Sequence, residues 1–132
     1  MANLVKQSVT LPASAKALYA MYLDPKQHGA ITGGKVVISA KPGSKFKAFG
    51  GKLTGTMLQT IPGNLIVQAW RSSPFHKSDP DSTLVLRFTP VNSNKGRIDL
   101  VQVNVPDHEF KGVSEGWKKY YWEPWRKYLA AK

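Results

Sequence analysis

Residues 114–132 read SEGWKKYYWEPWRKYLAAK, and positions 117 to 128 carry six aromatic side chains around one proline. On a helical wheel of about 100° per residue, Trp117, Tyr121, Trp122, Trp125, Tyr128 and Leu129 fall on one arc of roughly 140°. Lys118 alone interrupts that arc, while Lys119, Glu123, Arg126 and Lys127 take the other side. The pattern predicts an amphipathic helix over 113–130 with an unusually bulky buried face. Pro124 removes the N–H that the Tyr120 carbonyl would accept, so a bend is expected there, at a cost of about 3 kcal/mol if nothing compensates.

The segments before this helix state what its apolar face covers. From Lys35 to Val105 the chain changes to a period of two, in short runs punctuated by Pro42-Gly43, Gly50-Gly51, Pro62-Gly63 and the turn PVNSNKG. Six strands between 35 and 105 follow from this pattern, joined as an antiparallel meander. Leu84, Leu86 and Phe88 alternate with Thr83 and Arg87, so the sheet has one dry face and one wet face. Upstream, residues 3–10 read as a first strand. Ala15, Leu18, Tyr19 and Tyr22 mark a short helix near 13–23, and Asp24-Pro25 opens a second, near 25–32, that ends at Gly33-Gly34. The C-terminal helix is the only predicted element long enough to cover the dry face. The fold class is α+β, in one domain spanning 1–132.

Length and composition agree with a single domain that buries its own core. The absence of cysteine excludes thiol nucleophiles, disulfides and cysteine metal sites. No stretch approaches the roughly 18 to 20 apolar residues of a membrane span, and residues 1–12 lack a signal-peptide pattern, so a cytoplasmic location is expected. The net charge of +11 is uneven: residues 1–78 hold nine Lys and one Arg against the single Asp24. Lys35, Lys41, Lys45, Lys47 and Lys52 occupy a window without acids and form a candidate surface for an acidic partner. Lysine with so little arginine fits specific nucleic-acid recognition poorly.

Taken in order, LPASAKALYAMYLDPKQHGAITG, FKAFGGKLTG, PGNLIVQAWR, Ser82, VNVP and GWKKYYWEPWRKYL resemble the domain named for activators of the heat-shock-protein-90 ATPase. The match is to the single-domain or C-terminal type, within the START-like (SRPBCC) helix-grip superfamily, and it covers nearly the whole chain. The resemblance implies a curved seven-stranded antiparallel sheet wrapped around the C-terminal helix, two short helices after the first strand, and a cavity between sheet and helix. Superfamily members bind lipids, polyketides and other apolar molecules, and a minority catalyse cyclisation or condensation. The full chaperone activators carry a second, N-terminal domain, to which nothing in these 132 residues corresponds.

The expected function is non-enzymatic binding of a small apolar ligand, with Phe46, Met57, Ile66, Gln68, Trp70, Leu86, Gln102, Trp117, Tyr121 and Trp125 lining the cavity. Gln68 and Gln102 share the dry face with apolar neighbours, and a buried amide must find partners. His28 is a candidate for the cavity mouth. Two alternatives stand beside this reading. One is a co-factor-like protein docking an acidic partner, such as a chaperone, on the basic face. The other is a cyclase or condensing enzyme, for which the sequence offers only His28, Tyr121 and Tyr128 as acid or base. No cofactor is expected. GAITGGKV places Val36 where a phosphate loop needs Ser or Thr. His28, His76 and His108 are far apart in sequence, so no metal site is expected either.

Overall fold

The computed structural model describes residues 3–132. The chain runs β1 (Asn3–Leu11), α1 (Ala15–Leu23), α2 (Pro25–Thr32), β2 (Lys45–Ala48), β3 (Leu53–Ile61), β4 (Leu65–Ser72), β5 (Ser82–Asn92), β6 (Lys95–Val105), α3 (Phe110–Trp117) and α4 (Glu123–Ala130). Lys118–Trp122 joins the last two as a π turn. All strand pairs are antiparallel, in the order β1-β6-β5-β4-β3-β2. Ile66, Gln68 and Trp70 of β4, Leu84, Leu86 and Phe88 of β5, and Ile98, Leu100 and Gln102 of β6 are all buried on the face turned to the helices. This is the alternation read from the sequence, and it fixes register, because a one-residue slip would expose the whole set.

The starts of α1 and α2 and the end of α2 have local causes. The Ser14 side chain accepts from the Ala17 N–H at 3.1 Å and caps α1. Asp24 caps α2 by accepting from the Lys26 N–H at 3.0 Å, with Pro25 in the first turn, where its missing N–H costs nothing. Gly33, at φ 82°, ends α2 in the left-handed region. α1 sits close on the sheet because Gly96 has no side chain: a Cβ there would lie 2.7 Å from the Ala15 nitrogen. At the other edge, Gly55 gives its place to the Phe46 ring, since a Cβ would meet Phe46 Cε2 at 2.5 Å and the Ala69 oxygen at 1.9 Å.

Two elements differ from expectation. The sheet has six strands, not seven: residues 35–40 keep their in–out pattern, with Val36 and Ile38 buried and Val37 exposed, but only Val37 bridges to Lys47. The cause lies in β2. Phe49 at φ 53° and Gly50-Gly51 turn the chain after Ala48, so the partner strand is four residues long and no ladder can grow. The second difference is the terminal helix, which begins three residues earlier than predicted and is interrupted. In place of a simple bend, the Glu123 N–H reaches the Lys118 carbonyl, five residues back. Tyr121 and Trp122 within this turn are both buried, and Pro124 then falls in the first turn of α4. No helix among the described residues is long and apolar enough to cross a membrane.

Candidate functional site

Where α3 leaves the end of β4, the helix and sheet diverge and leave a cleft of about 560 Å³. Its sheet bank is Trp70, Ser72, Ser73 and Pro74, one end is closed by Phe49, exposed Lys52 and Leu53 at the start of β3, and its helix bank runs from Glu109 to Tyr121. Gly112 and Gly116 stand one helical turn apart on that bank, and a Cβ on Gly112 would meet nothing within 4 Å. Two glycines inside a helix are unfavourable by about 1 kcal/mol each relative to alanine. Their effect here is to keep the helix bank low, so the rings of Trp117, Tyr120 and Tyr121 form one wall. Trp70 and Trp117 face each other across the interior with centroids 6.1 Å apart.

Beneath the cleft the buried polar atoms form two linked sets. The Trp117 indole donates to Gln102 Oε1 at 2.8 Å, the Gln102 amide donates to Ser82 Oγ at 2.9 Å, and that hydroxyl donates to the Trp70 carbonyl at 2.7 Å. The second set starts at Gln68, whose Oε1 accepts from the Tyr22 hydroxyl at 2.7 Å. His28 Nδ1 lies 2.7 Å from the Tyr22 carbonyl, which can only accept, so Nδ1 carries the proton. Nε2 therefore accepts from the Tyr121 hydroxyl at 2.8 Å. Burial holds His28 neutral and lowers its pKa to about 4, against a smaller opposing effect of the Tyr22 carbonyl. Burial, then the neighbouring Tyr22, pushes the Tyr121 phenol well above its ordinary value.

Of the residues expected to line a cavity, Trp70, Trp117 and Tyr121 do so. Phe46, Met57, Ile66, Leu86 and Trp125 lie in the packed core away from the cleft. Gln68 and Gln102 sit behind its wall: both amide atoms of Gln102 are bonded within the chain, while of Gln68 only Oε1 is and Nε2 is buried without a partner among the described residues. His28 is 1 % exposed and beneath the wall, not at the mouth. Tyr128 turns away altogether, its hydroxyl donating to Gln27 Oε1 at 3.1 Å. Phe49, Leu53 and the two helix glycines were not among the expected lining residues; the spacing G112-x-x-x-G116 on a helix was the available signal. Lys35, Lys41, Lys45, Lys47 and Lys52 are all exposed, and none makes a salt bridge among the described residues. Lys52, however, belongs to the cleft as well as to the basic face.

His76 and His108, distant in sequence, stack with centroids 4.0 Å apart and planes 10° from parallel. The fold lays the loop after β4 beside the turn before α3, and Asp79 joins the pair, a proximity that sequence separation does not reveal.

With this architecture in view, the family model described as "Activator of Hsp90 ATPase homolog 1-like protein" matches residues 12–130. The chain belongs to that family. An activator of 90 kDa heat shock protein ATPase homolog from Dictyostelium discoideum is 28% identical over 101 residues, covering 76% of this chain and 26% of the relative. The chain thus spans about a quarter of that relative's length. Among solved structures, an HSP90 activator from Plasmodium falciparum superposes with a TM-score of 0.87 at 18% identity, covering 96% of each chain. A protein of the dynemicin biosynthetic locus does so with a TM-score of 0.76 at 16% identity, over 96% of this chain and 47% of that one. These structural likenesses establish the helix-grip fold.

Proposed function

We propose that this family member binds a small, largely apolar molecule in the cleft between α3 and the end of β4, without turning it over. The observation that carries the proposal is the composition of the walls. They present the faces of Trp70, Trp117, Tyr120 and Tyr121 across a volume suited to a small organic ligand, and the Trp117 and Tyr121 polar atoms are already paired behind them. Affinity would come from apolar burial, at about 25 cal/mol per Å². Lys52 and Glu109 at the rim would orient any polar end.

The enzymatic alternative fares worse on the same geometry. A general acid or base operates best with a pKa near the working pH. Here His28 is neutral throughout that range and Tyr121 holds its proton more tightly than a solvated phenol. Both groups are bonded to each other, not aimed at the cleft.

The test fills the cleft from the helix side. A Cβ on Gly112 meets nothing within 4 Å and the position lines the cleft, so Gly112→Leu should fold while its side chain takes up space a ligand needs. Titration with an anilinonaphthalene sulfonate dye, followed by a panel of apolar competitors, should give saturable binding that Gly112→Leu weakens at least about tenfold. Saturable binding that is indifferent to Gly112→Leu, or no binding by the native chain, overturns the proposal.

A second reading rests on the five exposed lysines, none of which is in a salt bridge among the described residues. The name of the Dictyostelium relative supports a heat shock protein as a partner, and one with an acidic surface would dock there by charge. The two readings are compatible, because Lys45 and Lys47 do not line the cleft.

A further inference from the structure

We propose that His76, Asp79 and His108 form a binding site for a divalent transition-metal ion of the zinc or nickel class, which cross-links the two banks of the cleft at its mouth. His76 and Asp79 lie in the loop between β4 and β5, and His108 lies in the turn Asp107–Glu109 ahead of α3. Asp79 Oδ2 is 3.9 Å from His76 Nδ1 and 3.8 Å from His108 Nε2, and the three donor atoms all lie within 4.8 Å of one another. A tetrahedral ion with bonds of about 2.0 to 2.1 Å places its donors roughly 3.3 Å apart. The carboxylate must therefore close on each imidazole by about 0.5 Å, the two imidazoles on each other by up to about 1.5 Å, and the rings must turn. Two imidazoles and one carboxylate suit borderline ions and are a poor match to magnesium or calcium, which take oxygen ligands.

The loop is held ready by a residue that no metal would touch. Arg71 donates to the His76 carbonyl at 2.9 Å, to the Asp79 carbonyl at 3.1 Å and to the Asp81 carboxylate at 2.7 Å. Its guanidinium lies over the Phe75 ring at 5.5 Å, and Phe75 is buried against Trp70. The His76 N–H in turn donates to Asp79 Oδ2 at 2.7 Å, which fixes the carboxylate. Fixing the backbone of two ligands before the ion arrives lowers the ordering cost of binding. The rings, by contrast, are exposed enough to turn. Stacked planes cannot both contain one ion, so binding must open the stack, break the 3.3 Å contact of His108 Nε2 with the Pro74 carbonyl, and shift the His108 proton from Nε2 to Nδ1 so that Nε2 can ligate.

The position gives the site a consequence. Pro74 lies on the sheet bank of the cleft, and Glu109, next to His108, lies on the helix bank. An ion shared by His76 and His108 ties these banks together. The proposal depends on the three side chains alone and stands whatever fills the cleft.

Untagged protein is titrated with zinc and nickel salts by calorimetry, with magnesium as the control. One equivalent of zinc per chain is expected, a rise in Tm with added zinc, and no response to magnesium. His76→Ala and His108→Ala are surface changes that should fold, and each should weaken binding by about 10 to 100-fold or more. Zinc should shift the imidazole NMR signals of His76 and His108 and leave those of buried His28 in place. No binding at high micromolar zinc overturns the site. So does binding that survives either histidine substitution, since the bridge needs both.

Discussion

Tyr121 and His28 couple the helix to α2 through one buried hydrogen bond, and their protonation makes stability depend on pH. The folded His28 titrates at about 4, below the ordinary value of 6.5, so between those values the unfolded chain binds more protons. Stability from this group is full above 6.5 and is lost as pH falls toward 4. From about pH 7.5 to about pH 5 the loss is roughly 2 kcal/mol, readable as a falling urea midpoint. His28→Gln should flatten that slope while lowering stability at neutral pH. Tyr121→Phe leaves Nε2 buried without a donor and should cost about 1 to 3 kcal/mol by chemical denaturation, with the cleft walls still in place. The histidine was visible in the sequence, but its place was not. A lone His in a short helix states nothing about the tyrosine that will meet it from the far end of the chain.

At the scale of elements, the sheet face and its helical cover were legible because each rests on a period that buried residues must obey. The alternation through Leu84, Leu86 and Phe88 fixed the dry face, and the aromatic arc from Trp117 to Leu129 fixed what lies over it. A cavity under the helix and three of its lining residues, Trp70, Trp117 and Tyr121, were expected, but its place was not, because it arises where that cover ends, and ends are set by glycines and turns. Two glycines make the contrast measurable. Gly55→Ala puts a methyl group into the Ala69 carbonyl and the Phe46 ring and should cost about 1 to 3 kcal/mol or more. Gly112→Ala faces open space in a helix and should raise stability by about 1 kcal/mol. Thermal melts of the two variants should move in opposite directions. The π turn escaped prediction for a related reason: Pro124 announced a disruption, but the choice between a bend and one extra residue belongs to the packing of Trp122, whose indole donates to Gln7 Oε1 at 2.9 Å.

The whole molecule divides its two candidate surfaces. Lys45 and Lys47 point from edge strand β2 away from buried Phe46 and Ala48, and charges on an edge strand also discourage pairing with another chain. Lys45→Glu with Lys47→Glu should abolish docking of an acidic chaperone and leave dye binding in the cleft unchanged. Lys52 is kept native in that test because it serves both surfaces. Docking measured by pull-down should weaken as salt rises past about 0.1 to 0.15 M, where exposed charges about 10 Å apart are screened. Capture that ignores both the charge reversal and the salt would assign the lysines to solubility and edge protection.

The four tryptophans belong to one continuous chain of rings. Trp70 lies 6.1 Å from Trp117, Trp117 lies 5.5 Å from Trp122, and Trp122 lies 6.4 Å from Trp125. At such separations electronic excitation passes between indoles faster than any of them emits. The molecule should therefore luminesce as one chromophore whose colour is set by its lowest-energy indole, and its near-ultraviolet circular dichroism should carry the paired lobes of coupled transitions. A quencher that touches only Trp70 at the cleft should darken light absorbed as far away as Trp125.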